Sequence, residues 1–360
     1  MPTPMQAAKP VGSLDGALRS FWHALRKPPA RLNLALQGGG SHGAFTWGVL
    51  DTLLADPRVE LEGLSGSSAG ALNAVLLADG WCKGGRDGAR RGLADFWTAL
   101  GTQMPPGMVQ GEGDSVSLSA VSKAWVNWAA YFSPDQLNPL ALSPLRDMLN
   151  SHIDFAQLRR NCPFKLFVGA TQANTGRLRV FREHELTPEV LMASTCLPRL
   201  HHAVAIDGQP YWDGGYSANP PVFPLLYGCS ASDILLVLLS PLERADCGNR
   251  VEAIQERVAE ITFSANLVRE MSLFCQALAH ASASFSGPGS LDRRLHRARF
   301  HMVDTGGLAS LQGTGTKLLA HAPFMQRLMG QGQERARQWL ATDFDCVGRR
   351  TSVDLEKWFS

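Results

Sequence analysis

No apolar run in the chain reaches the roughly 18 residues a membrane-spanning helix requires, and its N-terminus lacks the apolar core of a secretory leader. A soluble, cytoplasmic protein is therefore expected. Charge of one sign is also missing: 34 Lys and Arg against 32 Asp and Glu leave a net charge of +2. With no basic stripe carrying interleaved aromatics, nucleic acid is not an expected partner. The 7 cysteines, Cys82, Cys162, Cys196, Cys229, Cys247, Cys275 and Cys346, form no C-x-x-C pair. That pattern points to reduced thiols and suggests neither a disulfide framework nor a zinc site. His201-His202 stands without ligand-spaced partners, so no metal and no cofactor is expected. Internal repeats and long low-complexity linkers are absent as well.

What the chain does have is 45% hydrophobic residues in alternating strand-like and helix-like segments, the signature of an α/β domain with appended helices. Leu32 to Leu36 reads as a short buried strand that runs into Gly38-Gly39-Gly40-Ser41-His42-Gly43 and then a helical stretch. At a helix N-terminus several backbone N–H groups lack intrahelical partners and the macrodipole is positive. Glycines there let an oxygen approach those donors with no Cβ in the way, so such a loop binds permanent or transient anions. The pattern repeats at once. Leu61 to Gly66 reads as a strand and Ala69 to Leu77 as a helix, with Gly66-Ser67-Ser68-Ala69-Gly70 between them. This is the setting of a nucleophile elbow, in which Ser68 occupies the centre of G-x-S-x-G. The glycine run also fits the dinucleotide fingerprint, with Glu60 or Glu62 at the distance of a ribose-binding acid. Against that stands the serine elbow where the next strand ends. A P-loop is excluded because no G-K-[ST] follows the glycines.

A serine hydroxyl needs a neighbouring base. Asp213-Gly214-Gly215 is the best candidate, at the end of a strand that follows a hairpin turning at Asp207-Gly208 and before Asn219-Pro220-Pro221. On its own, Asp-Gly-Gly also reads as a plain turn.

Together the glycine loop, the G-x-S-x-G elbow and the distant D-G-G resemble the patatin-like phospholipase family. Ala170-Thr171 with Asn174-Thr175-Gly176, and Ala193-Ser194-Thr195-Cys196-Leu197-Pro198, strengthen the resemblance, which spans roughly residues 32 to 245. It implies a three-layer α/β/α fold with a central, mostly parallel sheet and extra C-terminal helices. It also implies acyl-ester or lipid substrates and a Ser–Asp pair in which Ser68 attacks the carbonyl and Asp213 accepts its proton. Backbone N–H groups of Gly38, Gly39 and Gly40 would hold the oxyanion, within a motif completed by Ser41, His42, Gly43, Gly66, Gly70, Gly214 and Gly215. The chain departs from the family at His42, where many members carry Lys or Arg. Burial beside apolar residues, with Tyr211 and Trp212 as contributors, would raise the pKa of Asp213 toward neutrality.

Two other readings stay open. One is a Ser–Asp–His triad using His280, His296 or His301. The other is an interaction module that kept the fold without turnover. The expected organisation is an N-terminal arm (1–28), a core (29–245) and a mostly helical extension packed on it (246–360). Leu14, Leu18, Phe21, Trp22 and Leu25 share one helical face of the arm beside Arg19, Arg26 and Lys27; it would either pack on the domain or make a peripheral membrane contact. An insertion at 102–142, carrying Trp125, Trp128, Tyr131 and Phe132, would be either a lid over the elbow or a satellite core.

Overall fold

The computed structural model describes residues 30–104, 107–111, 116–122, 143–198, 200–244, 249–280, 291–311 and 315–359. The N-terminal arm and the aromatic run of the insertion lie outside the described residues.

Strand β1 (Ala30–Leu36) leads through the glycine loop into α1 (Gly43–Ala55), and β2 (Val59–Ser67) leads through Ser68 into α2 (Ala69–Gly101). Helix α2 is far longer than the expected Ala69–Leu77. It bends at Gly84-Gly85, where Gly85 takes φ +59°. Part of the insertion forms a two-stranded ribbon, β3 (Val109–Gln110) with β4 (Ser117–Leu118). There follow α3 (Pro144–His152), α4 (Phe155–Asn161), β5 (Lys165–Gln172), β6 (Leu178–Arg182) and α5 (Pro188–Ser194). Ser143 caps α3: its side chain accepts from the Arg146 amide at 3.4 Å, with proline in the first turn. The hairpin β7 (Val204–Ile206) and β8 (Gln209–Asp213) turns at Asp207 and Gly208, with φ of 50° and 74°. Two consecutive positive φ values match a two-residue turn of the primed type. The chain closes with α6 (Phe223–Gly228), β9 (Asp233–Val237), α7 (Val251–His280), α8 (Leu291–Arg297), β10 (Arg299–Val303), α9 (Ala322–Thr342) and α10 (Leu355–Phe359).

The main sheet runs β10-β9-β1-β2-β5-β8-β7, with β6 paired to β5. Strands β10, β9, β1, β2 and β5 are parallel, and β6, β7 and β8 are antiparallel to their neighbours. Side chains alternate across the sheet. From β1 and β9, Leu32, Leu34, Leu36, Leu235 and Val237 join one apolar cluster with residues of α1, α2 and α9. Ala35, Ile234 and Leu236 join the other, with residues of α6, α7 and α10. Two cores on opposite faces of one sheet make a three-layer α/β/α architecture, as expected. The boundary drawn after residue 245 needs correction. Strand β10 belongs to the central sheet, in register with β9 from Arg299 opposite Asp233 to Val303 opposite Val237, so the last third of the chain completes the sheet.

Candidate active site

The sheet itself brings residues 68 and 213 together. Strand β2 lies parallel to β5 and ends at Ser67, opposite Gly169. Strand β8 lies antiparallel to β5 and ends at Asp213, opposite Ala170, the next residue along. Because β6 occupies the other edge of β5, β2 and β8 share one edge and point at each other, so their C-terminal ends meet.

Ser68 takes φ 54° and ψ −128°, a conformation costly for a residue with a Cβ, of the order of 1–3 kcal/mol. Its surroundings over-determine it. The Ser68 amide donates to Ser194 Oγ at 3.0 Å and to the Ser194 carbonyl at 3.2 Å, and Ser194 Oγ in turn donates to the Gly169 carbonyl at 2.7 Å. Flanking glycines let the turn close: a Cβ at Gly66 would meet Gly70 and Ala71, and one at Gly70 would strike the Leu36 carbonyl. Ser68 is half-buried at the N-terminus of α2, where the helix dipole favours developing negative charge.

Asp213 is 1% exposed. Burial pushes its carboxyl up to about 7, with the Gly215 amide and then the Ser68 hydroxyl drawing it back as hydrogen-bonding groups. The Gly215 amide donates to Oδ1 at 2.7 Å, while Oδ2 is enclosed without a donor in standard hydrogen-bond geometry. One carboxylate oxygen thus retains its capacity to take a proton. The apolar surroundings differ in part from those expected. Tyr211 packs edge-on against Phe181, ring centroids 5.7 Å apart, whereas the ring of Phe263 on α7 lies against Gly215, 2.5 Å from where a Cβ would stand.

The glycine loop abuts the elbow. A Cβ at Gly38 would stand 2.7 Å from Ser68 Cβ and 2.5 Å from the Ser67 carbonyl oxygen. Of the three amides expected to face an oxyanion, however, that of Gly38 is already used: it donates to Asn219 Oδ1 at 2.6 Å, while Asn219 Nδ2 donates back to the Gly38 carbonyl at 3.2 Å. Among the described residues nothing accepts from the amides of Gly39 and Gly40. Gly40 has φ +58°, and the Lys317 carbonyl occupies the space its Cβ would need. His42 is wholly buried, its pKa well below the ordinary histidine value because of burial and then the nearby Lys317. It is a neutral ring, with Nε2 2.7 Å from Thr316 Oγ1.

Sequence reasoning missed Asn219 and Ser194. Asn219-Pro220-Pro221 carried only a loop signal, yet this segment ties the D-G-G end to the elbow. Ser67 Oγ donates to the Ala218 carbonyl at 2.6 Å, Ser65 Oγ to the Pro221 carbonyl at 2.5 Å, and Asn219 grips Gly38. Asn219→Ala is expected to leave the buried Gly38 amide and carbonyl unpaired and to cost about 1–3 kcal/mol of stability, read as a lower urea midpoint.

Among the described residues the candidate histidines do not complete a triad on Asp213. His301 is buried on β10, with Nε2 3.0 Å from Asp233 Oδ1 and Nδ1 2.9 Å from Ser352 Oγ. His296 lies on α8, and the His280 side chain lies outside the described residues. Among the described residues no histidine bears on Asp213. The dinucleotide alternative fares no better at Glu62, whose carboxylate accepts from the amides of Ser230 at 2.7 Å and Ala231 at 2.8 Å. No group of His, Cys, Asp and Glu among the described residues is placed to hold a metal ion, and no described helix is long and apolar enough to cross a membrane.

The chain covers 88% of itself and 67% of VipD from Legionella pneumophila, at 15% identity and a TM-score of 0.40. No curated protein matches it. A family model described as patatin-like phospholipase matches residues 34–226, which takes in the glycine loop, Ser68, Asp213 and Asn219. With more than half of its length so matched, the chain belongs to the patatin-like phospholipase family.

Proposed function

We propose that the protein is a serine acyl-ester hydrolase acting on lipid esters through an acyl-enzyme on Ser68, with Asp213 as the base. The observation that carries this is the meeting of β2 and β8 on one edge of β5, which sets a buried, proton-hungry carboxylate against a serine held at positive φ. In the first step Ser68 Oγ bonds to the ester carbonyl carbon as its proton passes to Asp213. The carbonyl oxygen becomes an oxyanion facing the amides of Gly39 and Gly40. Collapse expels the alcohol, which takes the proton back from Asp213, and water then repeats the sequence to release the fatty acid. Each oxyanion donor of this kind is worth about 2.7–4 kcal/mol. A cleft of ≈ 450 Å³, lined in part by Ser240, Leu242, Thr305 and Trp358, opens at the carboxyl ends of β9 and β10.

A fluorophosphonate probe is expected to label the wild-type chain at Ser68, identified by mass spectrometry of the modified peptide, and to leave Ser68→Ala unlabelled. Labelling at another residue, or none at all with the fold intact, would overturn the assignment.

A further inference from the structure

We propose that the exposed apolar stripe of α7 is the surface on which this protein docks to a lipid bilayer. The proposal rests on the acyl-hydrolase reading for what is presented there, namely an acyl ester. Val251, Ile254, Val258 and Ile261 are 64%, 48%, 58% and 48% exposed. Their spacing of three, four and three residues lays them along one face of the helix. Among the described side chains of this stretch the other exposed ones are Gln255, Ala259, Thr262 and Ala265, none of them charged. Apolar faces of this kind mark interaction surfaces rather than ordinary exterior.

The opposite side of the same turns grips the loop that carries Asp213. Phe263 lies on Gly215, with its ring 4.8 Å from that of Tyr216, and Asn266 Nδ2 donates to the Tyr216 carbonyl at 2.9 Å. Further along, Glu270 accepts from the amides of Val222 and Phe223, just past Asn219. Whatever touches the stripe therefore sits about one helix diameter, roughly 10–12 Å, from the turn that positions the carboxylate.

A second copy of the chain fits this stripe poorly. It spans only two heptads, short of the three or four that sustain a coiled coil. Its flanking positions are Gln255, Thr262, Ser264 and Arg257, and Arg257 is engaged with Glu260 of its own helix at 3.3 Å. Among these four flanking residues no unpaired charge remains to orient a partner helix. A bilayer requires no register and accepts uncharged apolar side chains. Exposed Arg250 precedes the stripe, and exposed Arg269 stands five turns beyond Val251 on the same face, where lipid phosphates would meet them.

The test is co-sedimentation of the full chain with vesicles of phosphatidylcholine containing a minor fraction of phosphatidylglycerol. All proteins carry Ser68→Ala, so that binding is read without turnover. The parent is expected to pellet with vesicles, Ile254→Glu/Val258→Glu to bind at least about tenfold more weakly, and Ile254→Ala/Val258→Ala to fall between them. Far-UV circular dichroism and melting midpoints establish that each variant is folded. Equal binding by parent and charged variant would overturn the proposal, as would no binding by the parent. It would also be overturned if the charged variant bound vesicles normally but changed a dimer into a monomer in sedimentation equilibrium, since the stripe would then join two copies. Turnover of a soluble short-chain ester by the wild type is measured separately. Its failure would remove the hydrolase reading while leaving the vesicle result readable.

Discussion

Asp213→Asn is expected to lower turnover of a soluble acyl ester by about 10²–10⁴-fold, the range of a lost general base, with little change in KM. The amide keeps the side chain's shape and can still accept from the Gly215 amide through one oxygen, but it cannot take the proton of Ser68. The same substitution has a stability signature of definite sign. A carboxyl raised from 3.8 to about 7 by burial binds a proton in the folded state over a range in which the unfolded chain has released it. Wild-type stability should therefore decline relative to the variant as pH rises from about 4 through about 7, then run parallel above. Urea midpoints at pH 5 and pH 8 check this. A difference between the two proteins that does not change with pH would mean that the carboxyl is solvated.

Gly38→Ala is expected to be nearly as damaging for a different reason. Its methyl would stand 2.5 Å from the Ser67 carbonyl, 2.7 Å from Ser68 Cβ and 3.1 Å from Asn219 Oδ1. Two of those three neighbours belong to the elbow, whose conformation is fixed from the other side by Ser194. Overpacking costs about 1–3 kcal/mol. Displacing the reacting oxygen by even an ångström costs on the order of 10²-fold in rate. Turnover and melting midpoint should thus fall together. An alanine variant with wild-type values for both would show that the loop is not packed against Ser68 as described.

Local backbone demands made part of this site readable before any coordinates. A strand, a G-x-S-x-G corner and a helix require one another, so Ser68 and its elbow were legible from spacing alone. The glycine loop was legible as a donor-rich helix entry, but its allocation of donors was not. That the Gly38 amide serves Asn219 depends on a contact 181 residues distant in sequence. The roles of Asn219 and Ser194 went unread for the same reason, because each acts through partners that only the sheet order brings near. Asp213 stood out through family resemblance, since Asp-Gly-Gly alone reads as a turn. Its raised pKa follows from burial created by the packing of α7 on Gly215 and by the β5–β8 pairing, contacts that have no local sequence signal. The last third of the chain read as mostly helix because α7 and α9 dominate it. Strand β10, of five residues, shows its importance only once it is paired with β9.

The most direct measurement is the pH dependence of fluorophosphonate labelling at Ser68 in the wild type, with Asp213→Asn alongside. The account predicts a labelling rate that rises with pH through one ionisation near 7 and levels off above it, and a variant whose slow labelling shows no such step. A step that persists unchanged in Asp213→Asn would place the base elsewhere and contradict the Ser68–Asp213 assignment.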